Sequence, residues 1–165
     1  MNSLFYNCNS LKELLVNNLD ANNVTDTSKM FYNCFSLNKL NFGKNFNTAK
    51  VKNMEYMFYN CSSLDKLKAD NFDTSEVTEM RYMFYDCSSL SSLNLSKFYT
   101  RFVESMEYMF KGCSKINFLD LSSFQFSKVK NMEYMFDSCN ELKFIIINNN
   151  LDASQVTNME HMFSE

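Results

Sequence analysis

The sequence predicts an α/β solenoid with a parallel sheet on one face and short helices on the other. Cys8, Cys34, Cys61, Cys87, Cys113 and Cys139 are separated by 26, 27, 26, 26 and 26 residues, and a fixed period of that length marks a stacked array. After each Cys the apolar residues alternate as they do in a strand. Before each Cys they are spaced as on a helix.

Counting from each Cys, the apolar positions are +3, +6 and +8, as in Leu64, Leu67 and Ala69 or Leu90, Leu93 and Leu95. The step from +6 to +8 has the period of a strand buried on one face. The crossover back to the same phase is long enough to make successive strands parallel, so about six strands form one continuous sheet. An aromatic or Leu follows near +11 (Leu19, Phe46, Phe72, Phe98, Phe124, Leu151). Next come Asp, Thr and Ser, as in Asp73-Thr74-Ser75, residue types that satisfy free amides at a helix start. Val77, Met80, Met83, Phe84 and Cys87 then follow at intervals of 3, 3, 1 and 3, one stripe of a short helix. The residue before each Cys (Asn7, Asn33, Asn60, Asp86, Gly112, Ser138) is of a type that accepts the left-handed conformation closing a helix. All 12 methionines lie on this stripe or its phase, where flexible thioethers fill similar but unequal layers.

The units run 1–26, 27–53, 54–79, 80–105, 106–131 and 132–158, with a partial unit at 159–165, and the whole of 1–165 is one array. A single unit offers about nine apolar side chains at roughly 1.5–3 kcal/mol each if fully buried. Ordering its backbone costs roughly 1–2 kcal/mol per residue, so units fold only against one another. One Cys per unit at one phase makes an interior ladder of thiols acting as small hydrophobes; oxidation between neighbouring rungs is the alternative.

The pattern L-x-x-L-x-L with a longer return resembles leucine-rich repeats. The signature M-F-x-x-C-x-x-L, in Met57-Phe58-Tyr59-Asn60-Cys61-Ser62-Ser63-Leu64 and Met83-Phe84-Tyr85-Asp86-Cys87-Ser88-Ser89-Leu90, is similar to that of BspA-like leucine-rich-repeat surface proteins. The run Phe72-Asp73-Thr74-Ser75-Glu76-Val77-Thr78-Glu79-Met80 resembles their mycoplasma lipoprotein branch. The resemblance implies a leucine-rich-repeat-like solenoid. It also implies a secreted or lipid-anchored protein on a microbial surface, which binds host, matrix or other cell-surface proteins without chemistry of its own. Met1 already falls on the methionine phase and no basic-then-apolar leader precedes it. Either a leader and other segments lie outside these residues, or the protein is intracellular.

Composition excludes several classes. A net charge of −3 and a pI near 5.2 argue against nucleic acid, and no apolar run is long enough to span a bilayer. No C-x-x-C pair or phosphate-cradling glycine loop occurs, so no metal or other cofactor is expected. The single histidine, His161, takes a phase held by tyrosine elsewhere and reads as a solvated residue rather than a catalytic base. Asp70, Asp73 and Glu76 are imaginable Ca²⁺ ligands, but Asp73 and Glu76 are spaced as a capping box. No catalytic residue is expected. The sequons at Asn23, Asn60 and Asn94 follow from the repeat phases.

Two surfaces remain. The outward strand positions, +5 and +7, vary between units and carry the candidate protein-binding residues Lys66, Lys68, Asn94, Phe118, Asp120, Phe144 and Ile146. The apolar group Phe118, Phe144 and Ile146 reads equally as an interface or as an edge covered by a further unit. The second surface is the helix side, where Tyr56, Tyr82, Tyr108 and Tyr134 form either a binding face or a packing ladder. The function expected is a non-enzymatic recognition or adhesion module. The second expectation is end-to-end self-association through uncovered end units.

Overall fold

A computed structural model describes residues 1–43, 45–69 and 71–164. It contains six strands, β1 (Glu13–Val16), β2 (Lys39–Phe42), β3 (Lys66–Leu67), β4 (Ser92–Leu93), β5 (Phe118–Leu121) and β6 (Phe144–Ile147). Each begins at the same phase of its unit, and every pairing is parallel. In β2 to β5 the side chains alternate out and in, so that Leu40, Phe42, Leu67, Leu93, Leu119 and Leu121 enter the core.

Among the described residues the expected continuous sheet is instead three two-stranded sheets, β1–β2, β3–β4 and β5–β6. The pairs are in register, with Glu13 beside Lys39, Lys66 beside Ser92 and Phe118 beside Phe144. β3 and β4 keep only two residues each, so Lys68 and Asn94 lie just beyond their strands. Such short segments offer few amides to a neighbour on either side.

No helix occurs among the described residues, which corrects the expected helical face. The run before each Cys is a string of overlapping turns. The amides of Met57, Tyr59 and Cys61 donate to the carbonyls three residues back, at 3.1–3.2 Å. The intervening amides of Tyr56, Phe58 and Asn60 donate across to the carbonyls of Arg81, Met83 and Tyr85 in the next unit, at 3.1, 2.9 and 2.7 Å. A helix would keep all of these bonds within itself. The turn string divides them, one inside the unit and the next between units. Left-handed residues make this possible: Tyr56 and Asn60 have φ of 57° and 55°, and Tyr82 and Asp86 have 58° and 52°. A positive φ at the third residue of a turn is what a type II turn requires. The left-handed reading of the residue before each Cys holds, although no helix ends there.

A second line of contact joins the units at Asp26, Asn53 and Glu79, and at Ser105, Asn131 and Asn158, through isolated parallel bridges. Asn53 also accepts the Glu55 amide at 2.9 Å, and Asn131 the Glu133 amide at 2.9 Å. These side chains thus mimic a backbone turn. The Asp-Thr-Ser segment does likewise, with Asp73 accepting the Ser75 amide at 2.9 Å. The expected capping box is absent, since there is no helix to cap and Glu76 pairs with Arg101 at 3.0 Å.

The core is a set of columns running through the stack. Phe5, Phe31, Phe58, Phe84, Phe110, Phe136 and Phe163 stack at 5.2–5.7 Å, with ring planes within 14°. Cys34, Cys61, Cys87 and Cys113 are fully buried, and all six thiols are free. Each thiol from Cys34 onward donates to a Phe carbonyl of the preceding unit, as Cys87 does to Phe58 at 3.1 Å. Burial pushes the Cys34 thiol up to about 11 and Cys87 and Cys139 up to about 12. Buried Thr48, Thr74 and Thr100 add polar rungs: the Thr100 hydroxyl donates to the Gln125 carbonyl at 2.7 Å and accepts the Gln125 amide at 2.8 Å.

Candidate functional site

Alternation along the strands leaves one row of side chains pointing out beside the buried row. On it Glu13, Lys39, Lys66, Lys68, Ser92 and Asn94 are exposed, and Asp120 is half-buried. Lys39 pairs with Glu13 at 3.2 Å. Hydrogen bonds from Ser122 hold the Asp120 carboxyl below its usual value, with the Ser122 amide 2.9 Å away. Asn94 accepts the Ser96 amide at 3.0 Å. Lys66 and Lys68 form no ion pair among the described residues.

The character of the row changes at β5. Phe118 is 45% exposed, Phe144 67% and Ile146 48%. The β5–β6 register sets Phe118 beside Phe144 and Asp120 beside Ile146, so three large apolar side chains share one small area. The structure therefore brings Phe118, Asp120, Phe144 and Ile146 together and places Lys66 and Lys68 further along the same row.

The tyrosines form columns rather than the outer face of a helix. Tyr56, Tyr82, Tyr108 and Tyr134 stack at 4.7–4.9 Å, and His161 continues the column 4.8 Å from Tyr134. Tyr6, Tyr32, Tyr59 and Tyr85 make a second column at 4.6–5.0 Å. The columns touch each other, as at Tyr56 and Tyr59, 5.8 Å apart. Stacked rings cover one another's faces, so the wall shows mainly ring edges and hydroxyls. The Tyr82 hydroxyl donates to Glu107 at 3.2 Å. Burial raises Tyr56, Tyr82 and Tyr108, and carries Tyr59 to about 12. Lys111 stands where the second column would continue. It lies 4.4 Å from the Tyr134 ring centre and pairs with Asp137 at 3.0 Å.

Sequence reasoning missed that Tyr56, Tyr82, Tyr108, Tyr134 and His161 all have positive φ, from 52° to 58°. A left-handed residue costs roughly 1–2 kcal/mol, and each stacked aromatic pair returns about 0.5–1.5 kcal/mol beyond its buried area. An interior tyrosine has two such partners, which offsets the strain. The available signal was a tyrosine recurring four residues before an Asn, Asp, Gly or Ser.

Other chemistry is sparse. His161 Nδ1 lies 3.0 Å from the Ser164 hydroxyl and Nε2 lies 3.5 Å from Glu160, all on one exposed turn. Among the described residues no group of three or more His, Cys, Asp or Glu could hold a metal ion. Of the three imagined Ca²⁺ ligands, Asp70 lies outside the described residues, while Asp73 and Glu76 are engaged as above. No helix among the described residues is long and apolar enough to cross a membrane.

No curated protein matches this chain. A leucine-rich repeat protein from Bacteroides ovatus ATCC 8483, solved by crystallography, is 18% identical over 92% of the chain, with a TM-score of 0.38. The chain spans 43% of that protein's length. The family described as "Mycoplasma protein of unknown function, DUF285" matches residues 1–69 and 65–165. The resemblance carried by the M-F-x-x-C-x-x-L signature and this match agree: the chain belongs to this mycoplasma, BspA-like repeat family.

Proposed function

We propose that the chain is a non-enzymatic recognition module, a leucine-rich-repeat-type solenoid that binds protein through the outward strand row. The observation that carries this reading is the contrast between the two sides of each strand. Inward positions hold apolar residues in every unit, while outward ones pass from the Glu13–Lys39 pair and exposed Leu15, through Lys66 and Lys68, which form no ion pair among the described residues, to Phe118, Phe144 and Ile146. Exposed apolar groups inside a polar surround mark interfaces more often than accidents. Extracellular or cell-surface placement, and a host or matrix protein as partner, follow as part of the same proposal from the family resemblance.

The test is binding to an array of extracellular matrix and cell-surface proteins. The double variant Phe144→Ser, Ile146→Ser should lose at least about tenfold in affinity for any protein bound by the parent. Unchanged affinity would remove the strand row as the site. A second reading, self-association, is favoured by one observation: Cys139, Leu142, Ile145 and Phe163 line an open recess of about 420 Å³. A further unit in a longer chain would fill the same recess. Light scattering on residues 1–165 should show concentration-dependent oligomers that Phe163→Asp dissolves, and a strict monomer would rule this reading out.

A further inference from the structure

The outward row is divided. At and just beyond β3 it carries two ammonium groups, Lys66 and Lys68, and at β5 and β6 it carries an apolar cluster. Lys39 is neutralised by Glu13, and Asp120 is held by Ser122. Lys66 and Lys68 are exposed and without an ion pair among the described residues. This positive spot sits on a chain whose net charge is −3, so the row runs against the charge of the molecule. Between the two zones stand Ser92 and Asn94, small polar residues over which another backbone can pass closely.

Resting on the strand-row reading above, we propose that the partner is an extended acidic protein segment, with an aromatic or aliphatic side chain on Phe118, Phe144 and Ile146 and a carboxylate at Lys66 and Lys68. The spacing follows from geometry. β4 and β5 are not paired, but the ring columns give the rise per unit across them: Tyr56, Tyr82 and Tyr108 stack at 4.8 and 4.7 Å, and Phe58, Phe84 and Phe110 at 5.5 and 5.6 Å. Phe118 in β5 therefore lies two units, roughly 10 Å, along the stack from Lys66 in β3. An extended chain advances about 3.3 Å per residue. The segment therefore places its carboxylates about three or four residues from its apolar anchor. The apolar contact supplies most of the affinity, and the charges supply register and partner choice.

The experiment selects peptides from a random library displayed on phage against the immobilised chain, then measures binding of the synthesised winners. Winners should carry Asp or Glu three or four residues from an aromatic or aliphatic residue. Their affinity should fall as salt is raised. Lys66→Glu with Lys68→Glu should weaken them about tenfold and, on reselection, turn the preference toward Lys and Arg while the apolar anchor persists. Phe144→Ser with Ile146→Ser should abolish binding. Peptides that lose binding with the apolar variant but show no acidic preference overturn this proposal and leave the strand-row function standing. Peptides indifferent to both variants, or no enrichment above the apolar variant, overturn both. Retention on a sulfated polysaccharide column that needs the lysines but not Phe144 would make the ligand a polyanion and overturn the proposal. A dimer in the parent that Phe144→Ser dissolves would make a second copy the occupant, with the same consequence. Circular dichroism of each variant confirms that the fold is kept.

Discussion

Single residues set the limits of tolerance in this stack. A Cβ built on Gly43 would stand 2.3 Å from the Asn17 carbonyl oxygen in the preceding unit, so one of the two backbones would have to shift. Gly43→Ala should therefore destabilise the chain by about 1–3 kcal/mol, read as a lower urea midpoint. The thiols make a second test. Burial raises Cys87 to about 12 and lifts Cys61 and Cys113 well above the ordinary value. A group with a raised folded pKa contributes stability that is complete below its unfolded pKa and is lost as pH climbs toward the folded one. The urea midpoint should thus hold at neutral pH and fall from about pH 9 upward, at about 1.4 kcal/mol per buried thiol per pH unit. In native protein a thiol reagent should leave Cys61, Cys87 and Cys113 unmodified, and all six should react in urea.

At the scale of elements, the turn string is where sequence reasoning and structure part. The apolar intervals of 3, 3, 1 and 3 fit a helix stripe, and they fit a chain of turns that buries the same residues. Periodicity cannot separate the two, because both return the chain to one face about every three residues. The deciding feature is backbone sign at two positions per unit; the Asn, Asp, Gly or Ser before each Cys gave notice of one, and the tyrosine four residues ahead of it was the only signal for the other. Far-UV circular dichroism should accordingly lack the paired minima of a helix. A sharper test uses Tyr82, which has φ of 58° and stacks against Tyr56 and Tyr108. Tyr82→Ala loses both stacks and keeps the strain, for a loss of about 2–3 kcal/mol. Tyr82→Gly loses the same stacks but releases the strain, so it should unfold about 1 kcal/mol later than the Ala variant. The reverse order would mean that the left-handed backbone is not what the tyrosines hold in place.

For the whole molecule, the sequence made the period, the strand phases, the inward residues and the thiol ladder legible, because each repeats in every unit. It did not show that the sheet breaks into pairs, since that turns on bonding in two-residue strands whose composition resembles their neighbours'. The candidate surface was legible in part. The apolar group on β5 and β6 was visible as a departure from the repeat, whereas the neutralised state of Lys39 depended on a partner one unit away. Nearly every polar side-chain bond between units joins residues 24–30 apart. Deleting residues 80–105 should therefore leave a cooperative fold with a lower melting temperature, while deleting residues 80–92 should leave an unfolded chain. Thermal melts followed by circular dichroism separate these outcomes.

The division of amides between a unit and its successor has an evolutionary corollary. Every interior layer presents to its follower the same set of amide donors that its predecessor presented to it. A duplication or loss of one whole repeat in the gene thus meets a ready-made seat, and the length of the protein becomes a variable that replication errors can tune without inventing a new interface.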